Sequence, residues 1–261
     1  MAGEVLFEIR QISFSYGQNM VLRNLSLDLV SGKFYAIVGP NGCGKTTLLD
    51  LMAGILTPDS GTIKCDGRPL PAYPKRELAK KIALVPQDFY INFPFTVREV
   101  VLMGRHPYIP RFGSPDVEDL EIVANVMRLM DIDQLGDKFV TELSGGEKQR
   151  VVFARAFAQD TPVLIVDEGT SNMDIRHTLK SLSLARDAAR EQGKTMIAAM
   201  HDLNLAAAFC DCMVFMESGR IVAQGHLEEV FNEDNIRAVF DVEARVYFDQ
   251  FCGSKQVVYK L

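Results

Sequence analysis

The sequence FYAIVGPNGCGKT, residues 34–46, decides the fold of this 261-residue chain. Its first five residues are apolar and predict a buried strand, and a glycine-rich loop follows them directly. After the loop, apolar residues recur at helical spacing over residues 48–55, and Gly54 marks the expected end of the helix. A strand, a loop and a helix in this order indicate an α/β fold.

The loop fits the pattern G-x-x-x-x-G-K-[ST], in which glycines allow successive backbone N–H groups to face one centre. The helix that begins at Lys45 directs its partial positive charge to the same centre. Lys45 adds a full charge for the β- and γ-phosphates of a nucleotide, and the Thr46 hydroxyl can bind Mg²⁺. The alternative is a chance glycine turn before a helix, and the correct flanks on both sides favour a phosphate site. The predicted nucleotide-binding residues of this loop are Gly39, Asn41, Gly42, Cys43, Gly44, Lys45, Thr46 and Thr47.

A second candidate is the sequence VLIVDE at residues 163–168. Four apolar residues predict a central strand that ends in two carboxylates. Asp167 can hold Mg²⁺ through water, and Glu168 can orient or deprotonate an attacking water molecule. A strand that ends in an ordinary acidic turn is the alternative, and the phosphate loop elsewhere in the chain favours the catalytic interpretation.

The sequence LSGGE at residues 143–147 predicts a second helix start that can bind an anion. Ser144 is a good N-cap, and Glu147 three residues later can complete a capping box. Gly145 and Gly146 leave backbone N–H groups accessible at this helix N-terminus. Two phosphate-binding helix starts in one chain suggest that two chains share two nucleotides.

The composition excludes several classes of protein. The chain has 48% hydrophobic and 24% charged residues, which excludes a disordered chain, and five cysteines exclude a disulfide mini-protein. A net charge of −6 argues against a protein that binds nucleic acid through bulk positive charge. Because no apolar run approaches the length of a membrane span and the N-terminus lacks a secretory signal pattern, we expect a soluble cytoplasmic chain.

The rest of the chain predicts further strands and helices. Two N-terminal strands precede the phosphate loop, and strands at 82–85, 163–166 and 195–200 alternate with helical patterns at 96–142 and 175–192. We therefore predict a P-loop nucleotide-hydrolase core with a mostly parallel sheet, an N-terminal antiparallel β region and a helical subdomain. The predicted organisation is one domain over residues 1–261, with a catalytic core at 1–87 and 150–225, a helical subdomain at 88–149, and a C-terminal extension at 226–261, helical and then strand-like.

These motifs, in this order over residues 4–225, resemble the ATP-binding subunit of ABC transporters. The resemblance identifies residues 143–147 as the family signature and residues 171–174 as the D-loop. It implies that Tyr16 stacks on adenine, that Gln87 senses Mg²⁺ and the membrane partner, and that His201 contacts the γ-phosphate. The implied catalytic residues are Glu168, His201 and Gln87, and the implied Mg²⁺ ligands are Thr46, Gln87 and Asp167.

The same resemblance implies partners and a place in the cell. Two copies would form a head-to-tail dimer in which each ATP lies between Lys45 of one copy and Ser144, Gly145, Gly146 and Glu147 of the other. Polytopic permease subunits would hold the chain at the cytoplasmic face of the inner (cell) membrane, a substrate-binding protein would act indirectly, and no nucleic acid is expected.

Residues 88–110 carry the best indication of the transporter class. Phe89, Tyr90, Phe93 and Phe95 would suit a groove that receives a helix of the permease. The stretch 103–108, MGRHPY, and residues 202–206, DLNLA, are similar to importers of iron-siderophore, haem or cobalamin. An ordinary helical cap over the core is the plain alternative for 88–110. Another ABC importer or exporter, or a non-transport ABC ATPase, remains the alternative function.

A few positions depart from the family pattern. Glu147 stands where glutamine is usual, Gly169 where proline is usual, and Asn172-Met173 replace smaller or aliphatic residues. None of them removes a charge or ligand that hydrolysis requires. Cys43 has two interpretations, a thiol acidified by the adjacent helix start or a small residue that simply fits the loop.

Overall fold

Strands and helices alternate along most of the chain in the computed structural model, which describes residues 4–87, 93–168 and 173–260. The strands are β1 (Val5–Tyr16), β2 (Asn19–Val30), β3 (Phe34–Val38), β4 (Ser60–Cys65), β5 (Arg68–Pro69), β6 (Ile82–Val85), β7 (Val163–Asp167), β8 (Thr195–Ala199), β9 (Cys212–Glu217), β10 (Arg220–His226), β11 (Glu243–Asp249) and β12 (Ser254–Lys260). The helices are α1 (Lys45–Met52), α2 (Lys75–Leu78), α3 (Val97–Leu102), α4 (Val117–Leu129), α5 (Gly145–Ala158), α6 (Ile175–Gln192), α7 (Leu203–Phe209), α8 (Leu227–Val230) and α9 (Glu233–Phe240).

These elements form two compact units. The first unit comprises Met1–Tyr73 and Ala185–Leu261, and the second comprises Pro74–Leu184. The predicted phosphate loop and His201 belong to the first unit, whereas Gln87, Asp167 and Glu168 belong to the second. The helical subdomain predicted at residues 88–149 was defined by the signature motif that it carries as well as by its helices. Its bounds therefore stay a prediction.

The first unit contains a mostly parallel group of strands around β3. Both β8 and β9 pair with β3 in parallel, and β10 pairs with β9 in antiparallel fashion. All five residues of β3 are buried, as expected for a strand covered on both faces. The parallel β sheet predicted from the alternation of strands and helices is therefore confirmed.

The N-terminal strands form a separate antiparallel sheet in the same unit, with the order β2-β1-β4-β5. Apolar side chains alternate along β1, and Phe7, Ile9 and Ile12 are fully buried. Polar residues such as Glu8 and Arg10 face the other side, where Arg10 forms an ion pair with Asp28. The period of two shifts at an irregularity between Ile9 and Ile12, and the antiparallel pairing of β1 with both β2 and β4 confirms the predicted antiparallel β region.

The second unit combines the parallel pair β6–β7 with helices. The register runs from Ile82 opposite Val163 to Val85 opposite Val166. Helix α3 begins with a capping box in which Thr96 Oγ1 accepts from Glu99 N and the Glu99 carboxylate accepts from Thr96 N at 2.7 Å. The predicted helical region at 96–142 contains α3, α4 and several short 3₁₀ turns.

Two hairpins were not predicted. Strands β4 and β5 are joined by Asp66-Gly67, and β9 and β10 are joined by Ser218-Gly219. All four turn residues have positive φ, between 48° and 78°. This geometry suits the tight turns of antiparallel hairpins, and the sequence pairs D-G and S-G are their signal.

The C-terminal residues follow the predicted order of helix and then strand. Helices α8 and α9 precede the antiparallel hairpin β11–β12, in which Val246 lies opposite Val257. Over residues 4–87, 93–168 and 173–260, no helix is long and apolar enough to cross a bilayer.

Candidate functional site

The phosphate loop joins the buried strand β3 to helix α1, which begins at Lys45. Gly39 has no room for a side chain, because a Cβ there would lie 2.1 Å from the Met216 carbonyl oxygen and 2.8 Å from Cys43 Sγ. The N-cap of α1 is Gly44, with φ of 104° and no side chain that caps the helix. No side chain caps the first backbone N–H groups of α1, and Gly44 has a backbone conformation that glycine favours. An anion site at a helix start requires N–H groups of this kind.

Lys45 is held against its own loop. The side chain is buried, and its Nζ donates to the carbonyl oxygens of Gly39 at 2.9 Å and Pro40 at 3.2 Å. These two bonds fix the ammonium group against the first carbonyl oxygens of the loop. Thr47 is buried behind the loop, while Thr46 and Asn41 retain some exposure.

Neighbouring strands support the loop from outside. The Gly219 N–H donates to the Cys43 carbonyl oxygen at 3.0 Å, and the Arg23 N–H donates to Gly219 O at 3.0 Å. The Cys43 side chain is 3% exposed. Such burial restricts the access of reagents to the thiol, so the structure favours the interpretation in which Cys43 fits the loop over the interpretation as a reactive thiol.

Tyr16 and His201 are the remaining predicted site residues of the first unit. Tyr16 ends β1 with half of its surface exposed, and its ring packs edge-on against Phe14 at 4.9 Å between centroids. A partly exposed ring fixed at its edge leaves one face open for stacking. His201 is exposed and directly precedes Asp202, the N-cap residue of α7.

In the second unit, the structure brings Gln87 and Glu168 together. Gln87 Nε2 donates to Glu168 Oε2 at 2.9 Å, although the two residues are 81 positions apart. Glu168 has φ of 49°, a left-handed conformation that is uncommon for glutamate. Asp167, the last residue of β7, is 4% exposed.

The predicted signature forms the start of α5 as its sequence indicates. Ser144 Oγ accepts from the Glu147 N–H, and the Glu147 carboxylate accepts from Ser144 N at 2.9 Å and from Ser144 Oγ at 2.6 Å. These bonds lower the pKa of Glu147, with the Ser144 hydroxyl as the main cause. A Cβ on Gly145 would meet no atom within 4 Å, so this helix start has an open approach.

The proposed Mg²⁺ ligands fit that ion by their chemistry. Thr46, Asp167 and Gln87 all offer hard oxygen donors, and Mg²⁺ prefers one or two such protein ligands together with phosphate oxygens and water. No group of three or more His, Cys, Asp or Glu side chains arranged for a metal occurs among the residues that the structure describes.

Several predicted residues lie outside the described part of the chain. These are Phe89 and Tyr90 of the predicted permease groove, and Gly169, Ser171 and Asn172 near the D-loop. Of the neighbouring residues that are described, Asp174 accepts from the His177 N–H at 2.9 Å, and Phe93 and Phe95 are exposed.

Sequence reasoning missed two long-range contacts of the structure. Asn204 bonds to the C-terminal hairpin, and Arg105 forms a buried ion pair with Asp119 at 2.8 Å. Both residues lie in stretches that the sequence assigned to a transporter class, and nothing in their spacing indicates a distant partner.

Comparison with known proteins places these motifs in a family. Residues 22–171 match the sequence model of the ABC transporter family. The chain is 41% identical, over 91% of its length, to a cobalamin import ATP-binding protein of Halobacterium salinarum, and it spans about three-fifths of that relative, 59%. It is 36% identical to the ferric enterobactin transport ATP-binding protein of Escherichia coli, with 95% of this chain and 92% of the relative covered.

Solved structures agree with the sequence relatives. A chain from an inward-facing ABC transporter classed as metal-chelate type superimposes with a TM-score of 0.83 and 28% identity, and 98% of this chain and 97% of that chain are covered. A dimeric ATP-binding cassette in a post-hydrolysis state, bound to ADP and phosphate, gives a TM-score of 0.76 with 26% identity over 85% of this chain and 99% of that chain.

Proposed function

This chain belongs to the ABC transporter family, and from that premise we propose that it is the ATP-hydrolysing subunit of a metal-chelate importer. It would convert ATP and water to ADP and phosphate and transmit the resulting motion to a separate permease. The cargo class we propose is an iron-siderophore, haem or cobalamin, because relatives that transport enterobactin and cobalamin align over more than nine-tenths of the chain.

The hydrogen bond between Gln87 and Glu168 is the observation that carries the proposed hydrolysis. It fixes the Glu168 carboxylate directly after Asp167, the proposed Mg²⁺ ligand, and this supports Glu168 as the base for a water molecule that attacks the γ-phosphate. The carboxylate accepts the proton of that water while the bond between the β- and γ-phosphates breaks. Lys45 and the N–H groups of the loop would stabilise the phosphate charge, and His201 would contact the γ-phosphate. Thr46, Asp167 and Gln87 would hold Mg²⁺, which would supply further charge stabilisation.

The open start of α5 supports the proposed head-to-tail dimer. Ser144 and Gly145 are exposed, and the N-terminus of a helix attracts phosphate. A helix start with this chemistry is suited to bind the nucleotide held by Lys45 of a second copy. The dimeric cassette with ADP and phosphate, which superimposes on 85% of this chain, supports a dimer.

An exposed aromatic surface in the second unit supports docking of a permease. Phe93 and Phe139 are 69% and 42% exposed, and Phe95 lies beside Phe93 with 6.3 Å between ring centroids. The strand-like bridge between Thr96 and Phe139 holds these rings in one region. We propose that this surface receives a helix of the permease at the cytoplasmic face of the cell membrane, and that a substrate-binding protein delivers the chelate to the permease.

The substitution Glu168→Gln tests the catalytic assignment. It retains size and hydrogen bonding but removes the base, so we expect ATP turnover to fall at least about a hundredfold while ATP binding persists. Steady-state phosphate release and nucleotide titration measure the two effects. The control is Glu121→Gln on the exposed surface of α4, which should behave as wild type. Turnover at the wild-type rate in Glu168→Gln would refute the role of Glu168.

Transport assays test the cargo class. The chain would be co-purified with its permease, reconstituted in proteoliposomes, and supplied with a ferric siderophore, haem or cobalamin. We expect ATP-dependent uptake of one of the three with the wild type and none with Glu168→Gln. ATP hydrolysis without uptake of any metal chelate would reject the importer class and leave the ATPase assignment intact.

A further inference from the structure

Both outer edges of the C-terminal hairpin form hydrogen bonds to other elements, and they do so at one pair of facing residues, Val246 and Val257. On the β12 side, the Val257 N–H donates to Asn204 Oδ1 at 2.7 Å, and Asn204 Nδ2 donates to Val257 O at 3.3 Å. On the β11 side, the N–H of Val246, which lies opposite Val257, donates to Glu233 Oε1 at 2.8 Å. Because one carboxamide both accepts and donates, Asn204 satisfies the strand edge as a neighbouring strand would.

Asn204 also belongs to the first turn of α7. The Asp202 carboxylate caps this turn by accepting from the N–H groups of Asn204 at 2.8 Å and Leu205 at 3.0 Å. Tyr259 of β12 lies in the field of the same carboxylate, since burial and then the charge of Asp202 raise the pKa of its phenol. Strand β12 therefore reaches the start of α7 through two of its residues, and His201 directly precedes that start.

The hairpin is anchored to other helices as well. Lys255 Nζ donates to Glu228 O at 2.7 Å and pairs with the Glu228 carboxylate at 3.0 Å, and Glu233 belongs to α9. The Val257 side chain is 2% exposed, so its backbone N–H would lose a buried acceptor if Asn204 were removed. The hairpin thus links the first turn of α7 to α8 and α9.

We propose that the C-terminal hairpin braces the first turn of α7 through Asn204, which makes Asn204 a positioning residue for His201. The proposal deepens the proposed function and rests on it. A side chain that contacts a γ-phosphate contributes to catalysis only within a narrow range of positions. If the adjacent first turn of α7 frayed, the His201 side chain would sample many positions outside that range. The brace narrows that range without contact between Asn204 and the nucleotide.

Hydrogen exchange of the variant Asn204→Ala tests the brace directly. Loss of the paired bonds should speed amide exchange at residues 202–206 and 254–260 by about tenfold. The matched control is Asn235→Ala, which removes a 2.8 Å bond from another half-buried asparagine, on α9, to Val230 O. Exchange at 202–206 that is unchanged in Asn204→Ala would overturn the proposal.

Kinetics test whether the brace acts through His201. In Asn204→Ala we expect kcat for ATP to fall about threefold to tenfold while KM changes by less than about twofold. In a His201→Gln background the further loss should vanish, because the positioned group is gone. An equal loss in both backgrounds, or no loss in either, would overturn the positioning role.

A second variant protects the test against misfolding. Asn204→Asp keeps the acceptor for the Val257 N–H and loses the donor to Val257 O, so its exchange and kcat should lie between those of the wild type and Asn204→Ala. If the wild-type chain hydrolysed no ATP, the proposed function would fail, and the exchange measurements would still decide whether the hairpin braces α7.

Discussion

At the scale of single residues, Gly104 and Arg105 have a structural task that their sequence motif does not reveal. A Cβ on Gly104 would lie 2.2 Å from the Arg155 carbonyl oxygen, so only glycine allows this close approach to α5. Arg105 then reaches inward, where Nε donates to Asp119 at 2.8 Å and an Nη atom donates to Ala158 O at 3.0 Å. The similarity of residues 103–108 to chelate importers therefore includes residues that build the second unit.

The substitution Arg105→Ala should strongly destabilise the protein. Both partners of the ion pair are at least 92% buried, so the change leaves the Asp119 carboxylate without its partner in a region that excludes water. Breaking one half of a buried pair costs about 3–5 kcal/mol. Urea unfolding followed by circular dichroism measures the loss of stability.

The exposed pair Arg98–Asp137 provides the control for that experiment. Its atoms are 3.7 Å apart and its side chains are 51% and 98% exposed, so Arg98→Ala should cost less than about 1 kcal/mol. The double substitution Arg105→Leu with Asp119→Leu should recover part of the stability, because no charge is left buried. Equal losses in Arg105→Ala and Arg98→Ala would contradict the role assigned to Arg105.

The sequence indicates candidate nucleotide residues but not these buried ones, for a physical reason. Lys45, Thr46 and the loop glycines act through backbone geometry within one short segment, so their spacing alone carries the chemistry. The pairs Arg105–Asp119 and Asn204–Val257 depend on which surfaces meet after folding. A single sequence without its packing does not contain that information.

At the scale of elements, the start of α5 makes a pH-dependent prediction. The Ser144 bonds lower the pKa of Glu147 below its ordinary value of 4.5, because they favour the charged carboxylate. Its contribution to stability is therefore present above about pH 4.5 and is lost as the pH falls through the lower folded value. The interaction of this charge with the helix N-terminus contributes roughly 0.3–1 kcal/mol.

The variant Glu147→Gln tests this element. Glutamine retains the capping bonds but has no charge, so the wild type should be the more stable protein at pH 7, and the difference should shrink as the pH falls below 4.5. Urea midpoints measured from pH 3.5 to 7 give the difference. A difference that stays constant over this range would show that the carboxylate charge does not stabilise the helix start.

Helices and strands were predicted correctly where one spacing of hydrophobic residues dominated the segment. The long helix at 175–192 and the buried strands at 34–38 and 163–166 have single, uninterrupted patterns, and the structure confirms them. The hairpins β4–β5 and β9–β10 were missed because their strands are short or only half-buried. Their turns, Asp66-Gly67 and Ser218-Gly219, hold the stronger signal, because few residues other than glycine, asparagine and aspartate adopt positive φ readily.

At the scale of the whole molecule, the proposed site depends on a second copy of the chain. Lys45 and Ser144 would bind the same nucleotide from different copies. If one copy has a defect at Lys45 and the other copy has a defect at Ser144, one of the two sites therefore remains intact. An intact site of this kind is possible only if the site is shared between two copies. The ATPase activity of a mixture of two variants therefore distinguishes a shared site from a site built within one chain.

Mixing two inactive variants should restore activity. Lys45→Ala removes the phosphate-binding charge, and Ser144→Phe blocks the start of α5, so either variant alone should hydrolyse almost no ATP. A dimer with one copy of each contains one site with both defects and one intact site. Since random pairing makes half of all dimers mixed, an equal mixture should recover about a quarter of the wild-type rate.

The recovery of activity requires that subunits exchange between dimers, and it depends on which two variants are paired. A second pair of variants therefore serves as the control. Co-expression, or mixing followed by ATP-driven exchange of subunits, should give the restored rate, whereas a mixture of Lys45→Ala with Glu168→Gln should give none. In the proposed site those two residues would serve the same nucleotide from the same copy, so every site in that mixture would have a defect. Equal rates from the two mixtures would mean that Ser144 does not act on the nucleotide of its partner.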